Sequence, residues 1–258
     1  MKQAVILWLS AIVITFISGF IQNRISPDYP ISGVISIEGE EVSYLFKKFH
    51  RKLEDFEIIL RTKKSDLNAF VKWKKKNEND IWYIDSMKYS NSGLAAKIPT
   101  QSPLTEVIFK IILTTKNKTF TLPKAGYVNL TFLGAAPKSI TIHYYFTLFF
   151  GLLLAVRAGL EAFSHKPRFR LYSIFTLISF FSCALIFAPI QRAYEMGIVG
   201  RSVPPAEKIF ELWLLLLVGY WILTLVLSSF TKYSKFCVSL AAVLTILNFV
   251  FHNVFQNH

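Results

Sequence analysis

Five apolar stretches constrain the fold of this chain more than any other feature of its sequence. A membrane-spanning helix needs about 20 consecutive, mostly apolar residues. The stretches that meet or approach this length are residues 4–21, 140–163, 171–190, 210–230 and 236–251. The last stretch is short, so we expect its helix to tilt or the bilayer to thin around it. The sequence therefore predicts a multi-pass membrane protein with five spans.

Charged residues are scarce and unevenly placed. They make up 17% of the 258 residues, whereas soluble domains carry about 25%. Most of the acidic residues lie between the first and second apolar stretches. This distribution excludes an ordinary soluble enzyme and a disordered protein. It predicts an N-terminal anchor at 1–22, one water-facing domain at 23–139 and a four-helix transmembrane domain at 140–258.

The first apolar stretch has two interpretations. Lys2 followed by an apolar core resembles a secretory signal peptide. The residues after the core, Ser18 to Gln22, do not form the small-x-small pattern that signal peptidases cleave. We therefore expect an uncleaved transmembrane anchor. Either interpretation exports the domain that follows.

Lysine and arginine in the short loops predict the orientation. The loop at 164–170 carries three positive charges and the loop at 231–235 carries two. Such loops stay on the cytoplasmic side of an inner or plasma membrane, as the N-terminal Lys2 also would. Residues 23–139 and the C-terminus are then extracytoplasmic. The richness in Lys, Ile and Phe is typical of an AT-rich bacterium.

The water-facing domain shows the alternation of apolar and polar residues that is typical of β-strands. It recurs at residues 42–46, 56–60, 69–73, 107–113 and 127–133. About seven short strands at such spacing predict an immunoglobulin-like sandwich. The series Trp82, Met87, Gly93 and Ile98-Pro99 resembles the middle of a fibronectin-type module, a resemblance that implies the fold alone. The predicted fold is thus an α+β membrane protein with an all-β sandwich between the first two of five helices.

A basic and aromatic cluster lies in this domain, from Lys72 to Lys76 and at Trp82 and Tyr83. One interpretation is a ligand strip, in which aromatic faces hold sugar rings and lysines hold acidic groups. The other is a strand whose Trp is buried and whose lysines protect an exposed edge. The candidate strip residues are Trp73, Lys74, Lys75, Lys76 and Trp82.

The second span contains ionisable residues, which are costly in a membrane and are functional candidates. Because a helix turns by about 100° per residue, His143, Arg157 and Glu161 fall on one face. This face is either part of a proton or solute path, or an interfacial arrangement with a snorkelling arginine. Gly151, Ala155 and Gly159 form a separate stripe of small residues that predicts close helix packing.

Residues at the predicted outer ends of the spans form a second candidate cluster. They could build a metal, haem or acid–base site, although helix capping and interface placement also explain them. The cluster comprises Arg192, Glu195, Glu207, Glu211 and His252. We expect no cofactor or metal, because no catalytic or metal-binding motif occurs and the two cysteines, Cys183 and Cys237, lie alone in spans.

These features favour a non-enzymatic interaction or assembly component of the cell envelope. The alternatives are a transporter or channel subunit that uses the polar face of the second span, and a membrane redox or metal enzyme subunit. Expected partners are the lipid bilayer, a protein partner or a second copy, and an anionic envelope polymer. The net charge of +13 does not predict nucleic-acid binding, because an exported domain does not meet the genome.

Overall fold

The computed structural model describes residues 2–26, 28–63, 67–77, 81–90, 93–115, 118–164, 167–200 and 205–255, with side chains up to Asn253. Residues 165–166 of the basic loop and the last three residues of the chain lie outside this part. The chain forms two compact units. The first comprises residues 1–27, 136–194 and 198–258, and the second comprises residues 28–135 and 195–197.

The first unit is helical, and five of its helices are long and apolar enough to cross a membrane, as the sequence predicts. The third of these is continuous from Phe169 to Glu195 and contains a π-helical stretch, Cys183–Phe187. A short helix precedes the fourth. The helices are α1 (Lys2–Ile25), α2 (Lys138–Glu161), α3 (Phe169–Ser182), α4 (Ala188–Glu195), α5 (Ala206–Ile209), α6 (Leu212–Phe230) and α7 (Ser234–Phe255).

Helix α2 is the centre of this unit and contacts α1, α3 and α7. Its C-terminal half is buried almost without interruption from Gly151 to Glu161. Gly151, Ala155, Ala158 and Gly159 are small, so neighbouring helices can approach closely. The apolar core continues through Phe180 of α3 and Trp221 of α6. Helix α7 is longer than predicted from hydropathy, because polar residues at both its ends continue the helix.

The second unit contains two β-sheets with eleven strands among the described residues. In the first sheet the order is β1-β2-β4-β8-β7, and in the second it is β3-β11-β9-β5-β6, with β10 also paired to β9. The strands of the first sheet are β1 (Ile31–Ile37), β2 (Glu40–Phe46), β4 (Phe56–Arg61), β7 (Lys88–Ser90) and β8 (Gly93–Ile98). Those of the second are β3 (Phe49–His50), β5 (Asn68–Lys75), β6 (Tyr83–Ser86), β9 (Glu106–Thr114), β10 (Thr119–Leu122) and β11 (Val128–Phe132).

The core of the second unit follows from the alternation in its strands. In β9 the residues from Val107 to Leu113 are buried at every second position. Strands β4, β5 and β11 bury alternate residues in the same way. Each fully buried Val, Leu, Ile or Phe contributes about 1.5–3 kcal/mol. The residues between them point away from the core, and those of the second sheet form the candidate surface described next.

Candidate functional site

The outward face of the second sheet carries a cluster of lysines and aromatic rings. In β5, Trp73 is buried in the core, so Lys72 and Lys74 lie on the opposite face of the sheet. In the neighbouring strand β9, Phe109 and Ile111 are buried, so Lys110 lies on the outward face. The lysines of two paired strands therefore share one surface.

Two aromatic rings lie among these lysines. The Nζ atoms of Lys72 and Lys74 are 4.7 Å and 5.2 Å from the ring centroid of Trp82. The Nζ atom of Lys110 is 5.2 Å from the ring centroid of Tyr127. The ring centroids of Trp82 and Tyr127 are 5.3 Å apart. We call these five residues the lysine–aromatic patch.

The charges of the patch are of one sign. Lys72 lies directly opposite Lys110 in the β5–β9 register, an arrangement that is unfavourable for like charges. The cation–π contacts with the two rings offset part of this repulsion. Glu106, the one acidic residue at an outward position of β5, β6, β9 and β11, forms an ion pair of 2.5 Å with Lys76. The five residues of the patch thus include three lysines and no acidic residue.

The structure distributes the predicted ligand strip over three environments. Trp73 is 5% exposed, donates a hydrogen bond from Nε1 to Oδ2 of Asp85 at 2.8 Å, and stacks on Tyr83. It is therefore a core residue. Lys75 is half-buried at the end of β5, and Lys76 is paired with Glu106.

Of the strip, only Lys74 and Trp82 join the patch. Sequence reasoning missed Lys110, which strand pairing places opposite Lys72, and Tyr127, which contacts Lys110 and Trp82. The alternation within β5 is the signal that separates Lys72 and Lys74 from Trp73.

The ionisable pair of α2 lies inside the helical unit. Arg157 is 2% exposed and Glu161 is 6% exposed, and the two form an ion pair one helical turn apart. The backbone N–H of Arg168 donates to the other carboxylate oxygen of Glu161 at 3.1 Å. The guanidinium carbon of Arg157 is 4.7 Å from the ring centroid of Tyr172 and 5.4 Å from that of Trp8.

These contacts connect three helices, because Trp8 belongs to α1, Arg157 and Glu161 to α2, and Tyr172 to α3. A buried charge is tolerated when it is paired and hydrogen-bonded. The third residue of the predicted polar face, His143, is not part of the arrangement. Its Nδ1 atom is 2.7 Å from the carbonyl oxygen of Ser139, and its ring stacks on Phe187. The buried contacts of Arg157 and Glu161 therefore connect α1, α2 and α3.

The small residues of α2 allow close contacts within the same unit. A Cβ atom on Gly151 would lie 2.7 Å from Cε1 of Phe180 in α3. A Cβ atom on Gly159 would lie 2.6 Å from Cβ of Ala242 in α7. Ala155, between them, is fully buried. The stripe therefore packs against helices of its own chain.

The predicted outer-face cluster separates into two groups. In the helical unit, Nε1 of Trp213 donates to Oε2 of Glu211 at 2.7 Å, and the ring of His252 stacks on Trp213 at 4.0 Å. Glu195 groups with the second unit and accepts a hydrogen bond from Nε of Arg51 at 3.1 Å.

The remaining members of the cluster, Arg192 and Glu207, lie in α4 and α5. The described part of the chain contains no group of three or more His, Cys, Asp or Glu residues placed to hold a metal ion.

The class of protein follows from the fold and the composition. It is a mixed α+β protein with two β-sheets and five apolar helices, which indicate a multi-pass membrane protein. Comparisons with protein-family models, with curated proteins and with solved structures found no match.

Proposed function

We propose that the protein is a non-enzymatic interaction or assembly component of a cell envelope. In this proposal the β-sandwich binds an anionic partner outside the membrane, and the helices anchor the sandwich. The observation that carries the proposal is the lysine–aromatic patch, where three lysines and two aromatic rings meet on one outward sheet face. Aromatic residues are enriched at binding surfaces, and a positively charged surface is complementary to an anionic partner.

The strand order supports an immunoglobulin-like topology for the sandwich. In such a fold one sheet has the order A-B-E-D and the other the order G-F-C. The sheet orders β2-β4-β8-β7 and β11-β9-β5 match these when the strands are taken in chain order. Trp73 on β5, the strand equivalent to C, occupies the place where such folds bury a Trp. Immunoglobulin-like domains commonly serve as binding modules, but the fold alone specifies no ligand.

The distribution of lysine and arginine supports an extracytoplasmic sandwich. Lys2, the loop after α2 and the loop after α6 would all lie on the cytoplasmic side of five spans. Residues 23–139 and the C-terminus would then lie outside an inner or plasma membrane. We propose a bacterial envelope as the setting, because the composition is rich in Lys, Ile and Phe.

The buried pair of α2 favours an anchoring role for the helices over a solute path. Arg157 contacts Glu161, Tyr172 and Trp8, and Glu161 also accepts the backbone N–H of Arg168. Both charges are thus engaged in holding α1, α2 and α3 together. A solute or proton path would have to separate the two charges, and leaving one of them buried without its partner typically costs about 3–5 kcal/mol.

Crosslinking in the native membrane tests the proposed function. Cells that produce the full chain are crosslinked, the protein is purified in a mild detergent, and co-purified material is quantified. We expect a partner, a protein or an envelope polymer, at a constant ratio to the chain. Replacing Lys72, Lys74 and Lys110 together by Gln should remove it, while replacing Lys47 and Lys88 by Gln should not. A partner that the triple variant retains in full would contradict the proposal.

A further inference from the structure

The positive charge of the patch is placed where it opposes folding. Lys72 and Lys110 face each other directly across β5 and β9, and Lys74 lies two residues further along the same face. Like charges in this arrangement destabilise a sheet. A bound anion would convert the repulsion into attraction, so the surface is complementary in charge to a polyanion.

The aromatic rings order the lysine side chains before such a ligand binds. The ammonium groups of Lys72 and Lys74 lie over the ring of Trp82 and that of Lys110 over the ring of Tyr127, and these cation–π contacts restrict the three side chains. Side chains that are already ordered lose less entropy on binding. Tyr127 is 42% exposed, which leaves ring surface for a ligand. The apolar C–H face of a sugar can pack on the face of such an aromatic ring. The edge of the aromatic ring then remains available to polar groups.

The spacing of the lysines fits a ligand with repeated charges. Lys72 and Lys74 are two residues apart on β5, which corresponds to about 6.6 Å along a strand, and Lys110 lies one strand away, at about 4.8 Å. A polymer with an acidic group on successive sugar rings can contact two or three lysines at once. Several weak contacts on one chain then add up to useful affinity.

We infer that the lysine–aromatic patch binds a carboxylate-bearing polysaccharide, an inference that rests on the proposed function. The carboxylates pair with Lys72, Lys74 and Lys110, and the sugar rings pack against Trp82 and Tyr127. An extended polymer can lie along the outward face of a sheet and needs no deep pocket. An anionic lipid surface would use the lysines but would not require the sugar-packing rings.

The test uses the full chain in nanodiscs of phosphatidylcholine, with polygalacturonate oligosaccharides as the probe and dextran of equal length as the neutral control. We expect binding of polygalacturonate that weakens as salt rises, and no binding of dextran. The double variant Lys72→Gln/Lys110→Gln should lose about tenfold or more in affinity. The matched variant Lys47→Gln/Lys88→Gln, with two exposed lysines outside the patch, should bind as the wild type does.

A stability measurement on the same variants separates lost binding from unfolding. Removing Lys72 and Lys110 relieves a like-charge contact, so the melting temperature of the double variant should equal or exceed that of the wild type. Trp82→Leu should also weaken binding of polygalacturonate, because it removes ring surface and the contacts that order two lysines.

Several results would overturn the inference. Equal binding of dextran, equal loss in the control variant, or binding only when phosphatidylglycerol is added to the nanodiscs would each contradict it. The last result would assign the patch to a membrane surface. If polygalacturonate fails to bind while crosslinking still captures a partner that depends on the patch, the polysaccharide inference is wrong and the proposed function stands. If no capture depends on the patch, both are wrong.

Discussion

At the scale of single residues, Arg157 and Glu161 show how a bilayer-length helix can contain a full ion pair. Each charge is almost completely buried and is paired with the other. The guanidinium of Arg157 also lies over the rings of Trp8 and Tyr172, and the carboxylate of Glu161 accepts the backbone N–H of Arg168. Removing one partner leaves the other charge buried without compensation, which typically costs about 3–5 kcal/mol. Removing both replaces a polar contact by an apolar one and costs much less.

We therefore predict strong coupling between the two positions. Arg157→Leu alone and Glu161→Leu alone should each destabilise the helical unit by about 3–5 kcal/mol. The double variant should lose much less stability than the sum of the losses in the two single variants. Reversible unfolding of the purified protein in detergent measures the three values in one double-mutant cycle. Additive losses would show that the pair is not a structural unit.

Trp73 illustrates what could be predicted at this scale and what could not. The contiguous run from Lys72 to Lys76 suggested one ligand strip, and the alternative interpretation placed the Trp in the core. The structure gives Trp73 a core position and a hydrogen bond to Asp85. Alternation within a strand was visible in the sequence. The neighbours Lys110 and Tyr127 were not, because strand pairing between distant segments determines which residues meet.

At the scale of secondary-structure elements, the packing of α2 against α7 depends on a glycine, because Gly159 has no side chain at the contact. The backbone at Gly159 approaches Ala242 so closely that an added Cβ would lie 2.6 Å from the Cβ of that alanine. Helix interfaces in membranes rely on such approaches. The sequence predicted the stripe of small residues, but not which helices it would contact.

A substitution at this position should separate the two helices. Gly159→Ala should destabilise the protein by about 1–3 kcal/mol, because the added methyl group overpacks the contact. The second substitution Ala242→Gly should restore most of the loss. Gly219→Ala in α6 is the matched control. Among the described residues, no atom outside the local backbone of its own helix and its two chain neighbours lies within 4 Å of the added Cβ, so we expect no loss of stability. Thermal unfolding in detergent compares the three variants with the wild type, and an equal loss of stability at Gly219 would contradict the packing argument.

The strands show the same division between local and long-range information. The alternation at residues 107–113 predicted β9 almost to its ends, because each second side chain is buried. Short strands such as β3 and β10 were not predicted, since two to four residues contain too little alternation. Their position is determined by pairing with β11 and β9.

At the scale of the whole molecule, composition was the most informative property. Long apolar stretches can only be buried in a membrane or a large core, so the five helices and the mixed α+β class could be predicted. The order of strands in each sheet could not, because it arises from contacts between residues far apart in sequence. The patch depends on that order and therefore appears only in the structure.

We propose that the β-sandwich is exported and that a partner occupies its lysine–aromatic patch. Ile84 lies on the outward face of β6, directly opposite Lys72, and is exposed. A single cysteine at this position, in a chain whose two native cysteines are replaced by Ala, reports both location and occupancy. The measurement is its rate of labelling by a membrane-impermeant maleimide in living cells, with the outer membrane permeabilised where the host has one.

We predict that Ile84→Cys is labelled without rupture of the cytoplasmic membrane. Its labelling should become faster when Lys72, Lys74 and Lys110 are replaced by Gln, because the bound partner no longer shields the site. Labelling that requires a broken cytoplasmic membrane would contradict the proposed orientation. Labelling at the same rate with and without the three lysines would contradict binding at the patch.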